Sequence, residues 1–91
     1  MKFDWDKNKA KTNYDKHKVY FEEAKSVFYD FLSFTIPDNI HSVYEERYIT
    51  IGMSVLNRIL VVVHSEKEDT IRIISSRLAT KQERKKYEEG Y

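Results

Sequence analysis

The hydrophobic period changes from 3.6 to 2 in the second half of the chain, and this change restricts the fold more than any other feature. Three segments rich in β-branched residues follow one another there: residues 48–53, 58–64 and 70–76. Such segments are typical of half-buried strands. Asn57 suits the left-handed position of a tight turn between the first two, and residues 65–69 are expected to form a polar loop before the third. The sequence therefore predicts an antiparallel meander.

Two helices are predicted before the meander. Asp6 is a suitable N-cap for a first helix that ends near His17. Aromatic residues and an alanine recur at helical spacing over residues 21–29, which predicts a second helix. Residues 32–36 are apolar and β-prone, so they are a candidate fourth strand ahead of a turn at residues 37–39.

A third helix is predicted at the end of the chain. Thr80 and Glu83 form the T-x-x-E capping box that begins it, and it extends to about Glu89. Tyr87 and Tyr91 are its main apolar residues, so this helix gains little from burial by itself. The expected fold class is α+β, with an antiparallel β-meander of three to four strands, two N-terminal helices and one C-terminal helix.

The size and composition of the chain exclude several classes of protein. The 91 residues suit one hydrophobic core, so we expect residues 1–91 to form a single domain. There is no cysteine, which excludes disulfides and thiolate metal sites and suits the cytosol. The longest uncharged apolar stretch, residues 59–63, is far shorter than the roughly 20 residues of a membrane helix. A cytoplasmic protein without membrane contact is expected.

Charge is distributed unevenly behind a formal net charge of +1. Residues 1–18 carry six Lys against three Asp, and residues 71–91 carry six basic side chains against three acidic ones. Residues 19–70 carry four basic side chains against nine acidic ones. Two basic ends therefore flank an acidic middle, and they form one basic face if the ends meet in the fold.

The sequence carries no signature of a metal or nucleotide cofactor. Its three histidines lack zinc-ligand spacing, and Gly52 stands alone rather than in a phosphate-binding glycine loop. His64, Ser75 and Ser76 are not set in the G-x-S-x-G turn of a hydrolase triad. We expect no metal site and no cofactor.

Cationic and titratable side chains gather near the ends of the last two predicted strands and on the terminal helix: His64, Arg72, Arg77, Arg84 and Tyr87. If Ile71 and Ile73 point into the core, Arg72 projects from the outer face, and Arg77 lies where strand gives way to helix. Both arginines are then able to reach a phosphate. The alternative is that they pair with surface carboxylates such as Glu83, Glu88 or Asp69.

Two further groups of polar residues have alternative interpretations. His64 shares the parity of apolar residues in its strand, so it is either a half-buried structural histidine or a catalytic one. Lys9, Asn13, Lys16 and His17 form one polar side of the first helix. Solvation is the ordinary explanation of such a side.

Ordered matches along essentially the whole chain resemble the BrnT family of toxins from type II toxin-antitoxin systems. In the first half these are Trp5-Asp6, Asn13, Lys16-His17, Phe21-Glu22-Glu23-Ala24, Glu46-Arg47-Tyr48 and Ile51-Gly52. In the second half they are Leu60 to His64, Ile71 to Arg77, Ala79, Glu83-Arg84 and Tyr87. The chain departs from the family pattern at Lys18, Tyr20 and Ser76, where glycine, serine and alanine are usual.

The resemblance implies a RelE-like fold and the activity of an RNA-cleaving toxin that inhibits translation and growth. It also implies a cognate BrnA-like antitoxin that holds the toxin inactive, contacts operator DNA on its behalf and forms a dimeric assembly with it. RNA cleavage without metal needs a base, an acid and cations that stabilise the phosphorane. A rival interpretation is a module that binds nucleic acid or antitoxin without chemistry.

The residues that match the family suggest particular roles in metal-independent cleavage. Arg72 and Arg77 are predicted to bind the scissile phosphate, with His64 or Tyr87 in proton transfer. Three side chains of the first helix and one of the last are predicted to contact the RNA backbone: Lys9, Lys16, His17 and Arg84.

Overall fold

In the computed structural model, which describes residues 1–43 and 45–90, the described chain forms five strands and three α-helices. In chain order these are β1 Lys2–Asp4, α1 Lys7–His17, α2 Phe21–Ser26, β2 Phe34–Pro37, β3 Arg47–Met53, β4 Ile59–Lys67, β5 Thr70–Leu78 and α3 Lys81–Glu88. A short 3₁₀ helix, Val27–Tyr29, extends α2. Within the described residues, no helix has the length and apolar character needed to cross a membrane. Tyr91, which the sequence groups with Tyr87, lies outside the described residues.

The strands form one mixed sheet in the order β1-β5-β4-β3-β2. Strands β2 to β5 are antiparallel neighbours, as predicted, whereas β1 runs parallel to β5. The prediction of three to four strands is therefore wrong in number, because it missed the fifth strand, β1. That strand has three residues and pairs with residues 70–72, so neither hydrophobic periodicity nor a nearby turn in the sequence predicts it.

The turns of the meander are shorter than the sequence suggests. Asn57 has φ 60, as predicted for the turn between β3 and β4. The loop predicted over residues 65–69 is wrong, because β4 continues to Lys67 and Glu68 turns the chain with φ 57. Its polar residues pair with β5 at the exposed end of the hairpin, where strands need no apolar side chains.

The core has two layers, one on each face of the sheet. On one face, Leu60, Val62 and Ile73 pack under α2 and the segment before it. We call this the two-helix face. On the other face, Val61 and its apolar neighbours pack against Tyr87 of α3. This α3 face is covered only in part, because α3 has eight residues and β4 and β5 have nine each.

The helix ends follow the sequence closely. Asp6 caps α1 by accepting hydrogen bonds from two backbone N–H groups of the first turn, and Thr80 and Glu83 form the predicted capping box of α3. Lys18 takes the left-handed conformation at the end of α1 with φ 59, where the family pattern has glycine. Tyr20 begins α2 without a side-chain cap. Both junctions therefore lack the local stabilisation that the usual residues supply.

Asn13 closes the open edge of β5 beyond the point where β1 ends. Its side chain lies 6% exposed and donates to the carbonyls of Ser76 (2.9 Å) and Val19 (3.0 Å), while its Oδ1 accepts from the N–H of Ser76 (3.0 Å). An amide thus takes the place of a neighbouring strand and blocks edge-to-edge association. Helix α1 is held against this edge of the sheet as a result.

We expect Asn13→Ala to lower the free energy of unfolding by about 3 kcal/mol, because it leaves buried backbone groups of β5 and Val19 without partners. Asn8→Ala on the same helix is the matched control and should change stability by less than about 0.5 kcal/mol. Urea unfolding followed by circular dichroism measures both. Equal losses in the two variants would contradict the role given to Asn13.

Candidate nucleic-acid interface

A β-bulge in β5 brings two predicted site residues to the same face of the sheet. Val63 pairs with Ser75 and the next residue of β4, His64, pairs with Ile73, so Ile74 is an extra residue in β5. Strict alternation would place Arg72 and Arg77 on opposite faces of the sheet, but the extra residue puts them on the same face. Both therefore lie on the α3 face, about 13 Å apart, since their partners Val61 and Ser65 are four residue steps apart along β4.

Each of these arginines also has a carboxylate partner. Arg77 donates to both carboxylate oxygens of Glu83, at 2.8 and 3.0 Å, and to the carbonyl of Leu78 at 3.2 Å. Arg72 lies 2.7 Å from the carboxylate of Asp4 in the neighbouring β1. The alternative prediction, in which the arginines pair with surface carboxylates, is therefore confirmed for Arg77 and Glu83. Arg72 pairs with Asp4, which was not among the predicted partners.

The bonds of Arg77 to Glu83 and Leu78 position its guanidinium and leave some of its N–H donors free. The Glu83 carboxylate raises the pKa of Arg77, and the guanidinium in turn lowers the pKa of Glu83 to about 2. A guanidinium has five N–H donors, and the bonds to Glu83 and Leu78 use three of them. The side chain is 41% exposed, so its remaining donors are available to an anion.

Sequence reasoning assigned no role to Arg47, which lies on the same face. Arg47 pairs with Ser65, and Ser65 pairs with Arg72, so the three residues form one row across β3, β4 and β5. The Nε of Arg47 is buried and has no hydrogen-bond partner among residues 1–43 and 45–90. Its place in the family match Glu46-Arg47-Tyr48 singled it out, but only strand register shows that it shares a face with Arg72.

Three predicted RNA contacts of α1 come together at the edge of β5. Lys9, Lys16 and His17 line a groove of about 320 Å³ between α1 and the bulge, with Ile74 and Ser75 on its other side. By register Ser75 also faces the same side of the sheet as Arg72 and Arg77. The groove therefore adjoins the arginine-bearing part of the α3 face.

His64 lies away from the arginines, on the two-helix face. It is 1% exposed, its ring stands 4.8 Å from that of Phe28, and its Nε2 lies 2.7 Å from the hydroxyl of Thr50. Burial lowers the pKa of His64 to about 4, against a small opposing effect of the Ser65 backbone. Of the two interpretations left open for this residue, the buried structural histidine describes the geometry.

The burial of His64 predicts a pH-dependent stability. A histidine of the unfolded chain takes up a proton below pH 6.5, whereas folded His64 does so only near pH 4. Stability should therefore fall as the pH drops from 6.5 towards 4, by about 3 kcal/mol in total for this group. His64→Gln should remove most of this slope between pH 6.5 and 4.5, while His41→Gln, a change at a 65% exposed histidine, should retain it. Urea midpoints at stepped pH values test this, and an unchanged slope in His64→Gln would contradict it.

Tyr87 and Arg84 lie on α3 but not together with the other predicted residues. Tyr87 is 8% exposed and donates to Asp30 at 2.5 Å. Burial, with the hydrogen bond to Asp30, raises the pKa of Tyr87 to about 12. Arg84 is exposed and lines a separate groove of about 410 Å³ beside Asn57 and Leu78. Ser76, where the family usually has alanine, is buried on the two-helix face, away from both arginines.

Comparisons with known proteins identify the family and fold that the chain shares. A family model described as the ribonuclease toxin BrnT of a type II toxin-antitoxin system matches residues 5–83. The chain is also similar to the 1.1 Å crystal structure of the Brucella abortus ribonuclease toxin BrnT, with a TM-score of 0.69 and 29% identity over 89% of this chain and 99% of that one. No curated protein matches the chain significantly. The resemblance found in the sequence is confirmed, and the chain belongs to the BrnT family of ribonuclease toxins of type II toxin-antitoxin systems.

Proposed function

We propose that this chain is an endoribonuclease toxin that cleaves RNA without a metal ion, inhibits translation and growth in the cytoplasm, and is neutralised by a cognate antitoxin. The observation that carries the proposal is the bulge at Ile74, which brings Arg72 and Arg77 to one face of the sheet. Family membership supplies the class of activity. The likeness to RelE-type ribonucleases stays a prediction.

The arginines supply the electrostatic part of the reaction. The 2′-hydroxyl of RNA loses its proton to solvent water as it attacks the adjacent phosphorus. The bond from phosphorus to the 5′-oxygen of the next nucleotide breaks, and that oxygen takes a proton from water, so the products carry a 2′,3′-cyclic phosphate and a 5′-hydroxyl. Charge accumulates on the phosphorane oxygens, and preorganised donors at that position are commonly the largest single contribution to the rate. Glu83 holds Arg77 ready before RNA arrives, and Arg47 adds a third guanidinium on the same face.

His64 and Tyr87 are assigned structural roles in this proposal. Efficient acid-base catalysis needs a pKa near the working pH and a group within reach of the substrate. The pKa values of these two residues lie at about 4 and about 12, and both side chains are more than nine-tenths buried. The positively charged surface contributes binding and charge stabilisation and is extended by Lys9, Lys16 and His17, while Arg84 is proposed as a separate RNA contact on α3.

A type II toxin is restrained by an antitoxin, and two features support a BrnA-like partner in a dimeric assembly. The antitoxin must cover the cationic part of the α3 face. Beside α3, Phe31 and Leu32 are 93% and 71% exposed next to a groove of about 520 Å³ that Tyr87 also lines. An apolar patch of this kind is typical of a protein interface. Contact with operator DNA is expected only through the antitoxin.

Single-turnover cleavage by the purified chain tests the proposed activity. A single-stranded RNA incubated with excess protein in EDTA should yield fragments that end in 2′,3′-cyclic phosphate. Loss of cleavage on adding EDTA would contradict metal independence. A shift of the RNA in a gel without any fragments would instead favour the rival binding module. Light scattering with and without the product of a neighbouring antitoxin-like gene tests the assembly.

A further inference from the structure

We propose that the groove between α1 and the β5 bulge is a subsite for one unpaired nucleotide of the RNA, with its base against Ile74 and its flanking phosphates on Lys9 and Lys16. The proposal deepens the proposed function and rests on it. It names the part of the substrate that this groove takes: a single-stranded segment with an accessible base.

The groove has the mixed lining that small ligand sites share. Its volume is about 320 Å³, Ile74 supplies an apolar surface, and no carboxylate is among the residues that line it. Ligand pockets are typically apolar with a few polar groups that fix orientation. Because Ile74 is the extra residue of a bulge, its side chain is released from the regular alternation of β5 and faces α1.

Some of the polar side chains that line the groove around Ile74 have no hydrogen-bond partner in the described part of the chain. The side chains of Asn8, Thr12 and His17 form no hydrogen bond with any residue in the described ranges 1–43 and 45–90, although each lines the groove. The Asn13 side chain, in contrast, is engaged by the backbone of Ser76 in β5 and by the carbonyl of Val19. An amide, a hydroxyl and an imidazole with free donors and acceptors suit the edge of a base, which carries both kinds of group.

The two lysines are spaced to hold the backbone on either side of such a base. Lys9 and Lys16 are seven residues apart on α1, so they lie on one side of the helix about 10 Å apart along its axis. Both are exposed, and neither forms an ion pair with a residue that the structure describes. Proteins usually recognise a single strand with positively charged side chains that follow its phosphates and with a surface against which a base packs.

The groove is continuous with the proposed cleavage face through Ser75. That residue lines the groove and shares its face of the sheet with Arg72 and Arg77. An RNA strand that crosses the edge of β5 therefore meets the lysines and Ile74 first and the arginines next. A duplex cannot present an unstacked base to Ile74, so the subsite selects single-stranded RNA.

Binding of a non-cleavable RNA tests the subsite independently of catalysis. The probe is a fluorescent single-stranded 2′-O-methyl octanucleotide, compared with a set of otherwise identical probes that each lack one base. We expect the wild-type protein to bind at least one abasic probe about tenfold more weakly than the complete one. In Ile74→Ala this difference should disappear. Equal binding of the complete and all abasic probes by the wild-type protein, or no binding at all, would overturn the subsite.

Exposed lysine variants keep the test valid if Ile74→Ala folds poorly. Lys9→Gln and Lys16→Gln should each lower the slope of log affinity against log salt by about 0.7, the value for one phosphate contact on a single strand. Lys11→Gln, an exposed lysine of the same helix outside the groove, should leave the slope unchanged. Equal slopes in all three variants would overturn the proposal. Normal binding behaviour without cleavage of ordinary RNA would support the subsite and contradict the proposed nuclease.

Discussion

Arg72→Ala and Arg77→Ala should each slow single-turnover RNA cleavage by about 10² to 10³, the cost of removing one preorganised donor from a developing oxyanion. Both side chains lie on the α3 face, and both are 41 to 45% exposed, so the folded state does not depend on them. Half-exposed ion pairs of this kind contribute at most about 1 kcal/mol. Growth inhibition should be lost together with cleavage, while the urea midpoint changes little.

Three further variants separate the proposed role from indirect effects. Arg77→Lys keeps the charge but loses the two-point bond to Glu83, so it should restore only part of the rate. Arg77→Ala combined with Glu83→Gln should stay slow, which shows that an uncovered carboxylate is not the cause. Lys11→Ala should behave as wild type. Full toxicity in both single arginine variants would rule out the proposed phosphate-binding surface.

Glu23→Ala should be strongly destabilising and lower the free energy of unfolding by about 3 kcal/mol. The Glu23 side chain is 5% exposed and accepts hydrogen bonds from the guanidinium of Arg58 and from Ser54 (2.6 Å). These contacts join α2 to the turn between β3 and β4. Removing the carboxylate leaves the Arg58 charge and the Ser54 hydroxyl in a half-buried site without their partner.

The neighbouring residue provides the control. Glu22→Ala removes an exposed carboxylate from the same turn of α2 and should cost less than about 0.5 kcal/mol. The double variant Glu23→Gln with Arg58→Gln should be less destabilised than the sum of its single variants, because no buried charge is left unpaired. Urea unfolding at pH 7 measures all five variants, including the single variants Glu23→Gln and Arg58→Gln. A Glu23→Ala midpoint equal to that of Glu22→Ala would show that the ion pair contributes little.

The pKa shift of Glu23 predicts the direction in which this contribution depends on pH. The hydrogen bond from Arg58 lowers the pKa of Glu23 below its ordinary value of 4.5, against the opposing effect of burial. Its stabilisation is therefore present above pH 4.5 and is lost as the pH falls through the folded pKa. That window lies below most of the one assigned to His64, so the two effects are separable in one pH series.

Features encoded within a few residues were predictable. The Asp6 cap, the capping box of Thr80 and Glu83 and the left-handed Asn57 each depend on contacts between near neighbours in sequence. The three long strands followed from their β-branched composition. The parallel strand β1 was missed because its stability comes from pairing with residues 70–72, far along the chain, and three residues carry no periodic signal.

The candidate site was only partly predictable for the same reason. The sequence identified Arg72, Arg77 and the basic side of α1 as candidates, and it left His64 between a structural and a catalytic role. Whether two side chains of a strand share a face depends on a single inserted residue, Ile74, and a bulge is decided by the register with the partner strand. The face shared by Arg47 and Arg72 depends on the same register across three strands.

The sequence by itself thus determined the family and the α+β class and named the candidate RNA-binding residues, because local propensities and ordered motifs are written in neighbouring positions. Only the tertiary structure decided which of these residues meet. Packing under α2 buried His64, the bond to Asp30 engaged Tyr87, and the bulge placed Arg72 and Arg77 on one face of the sheet. Each outcome depends on contacts between segments that are far apart in the sequence. The residues of one segment alone therefore do not determine which side chains become buried or paired.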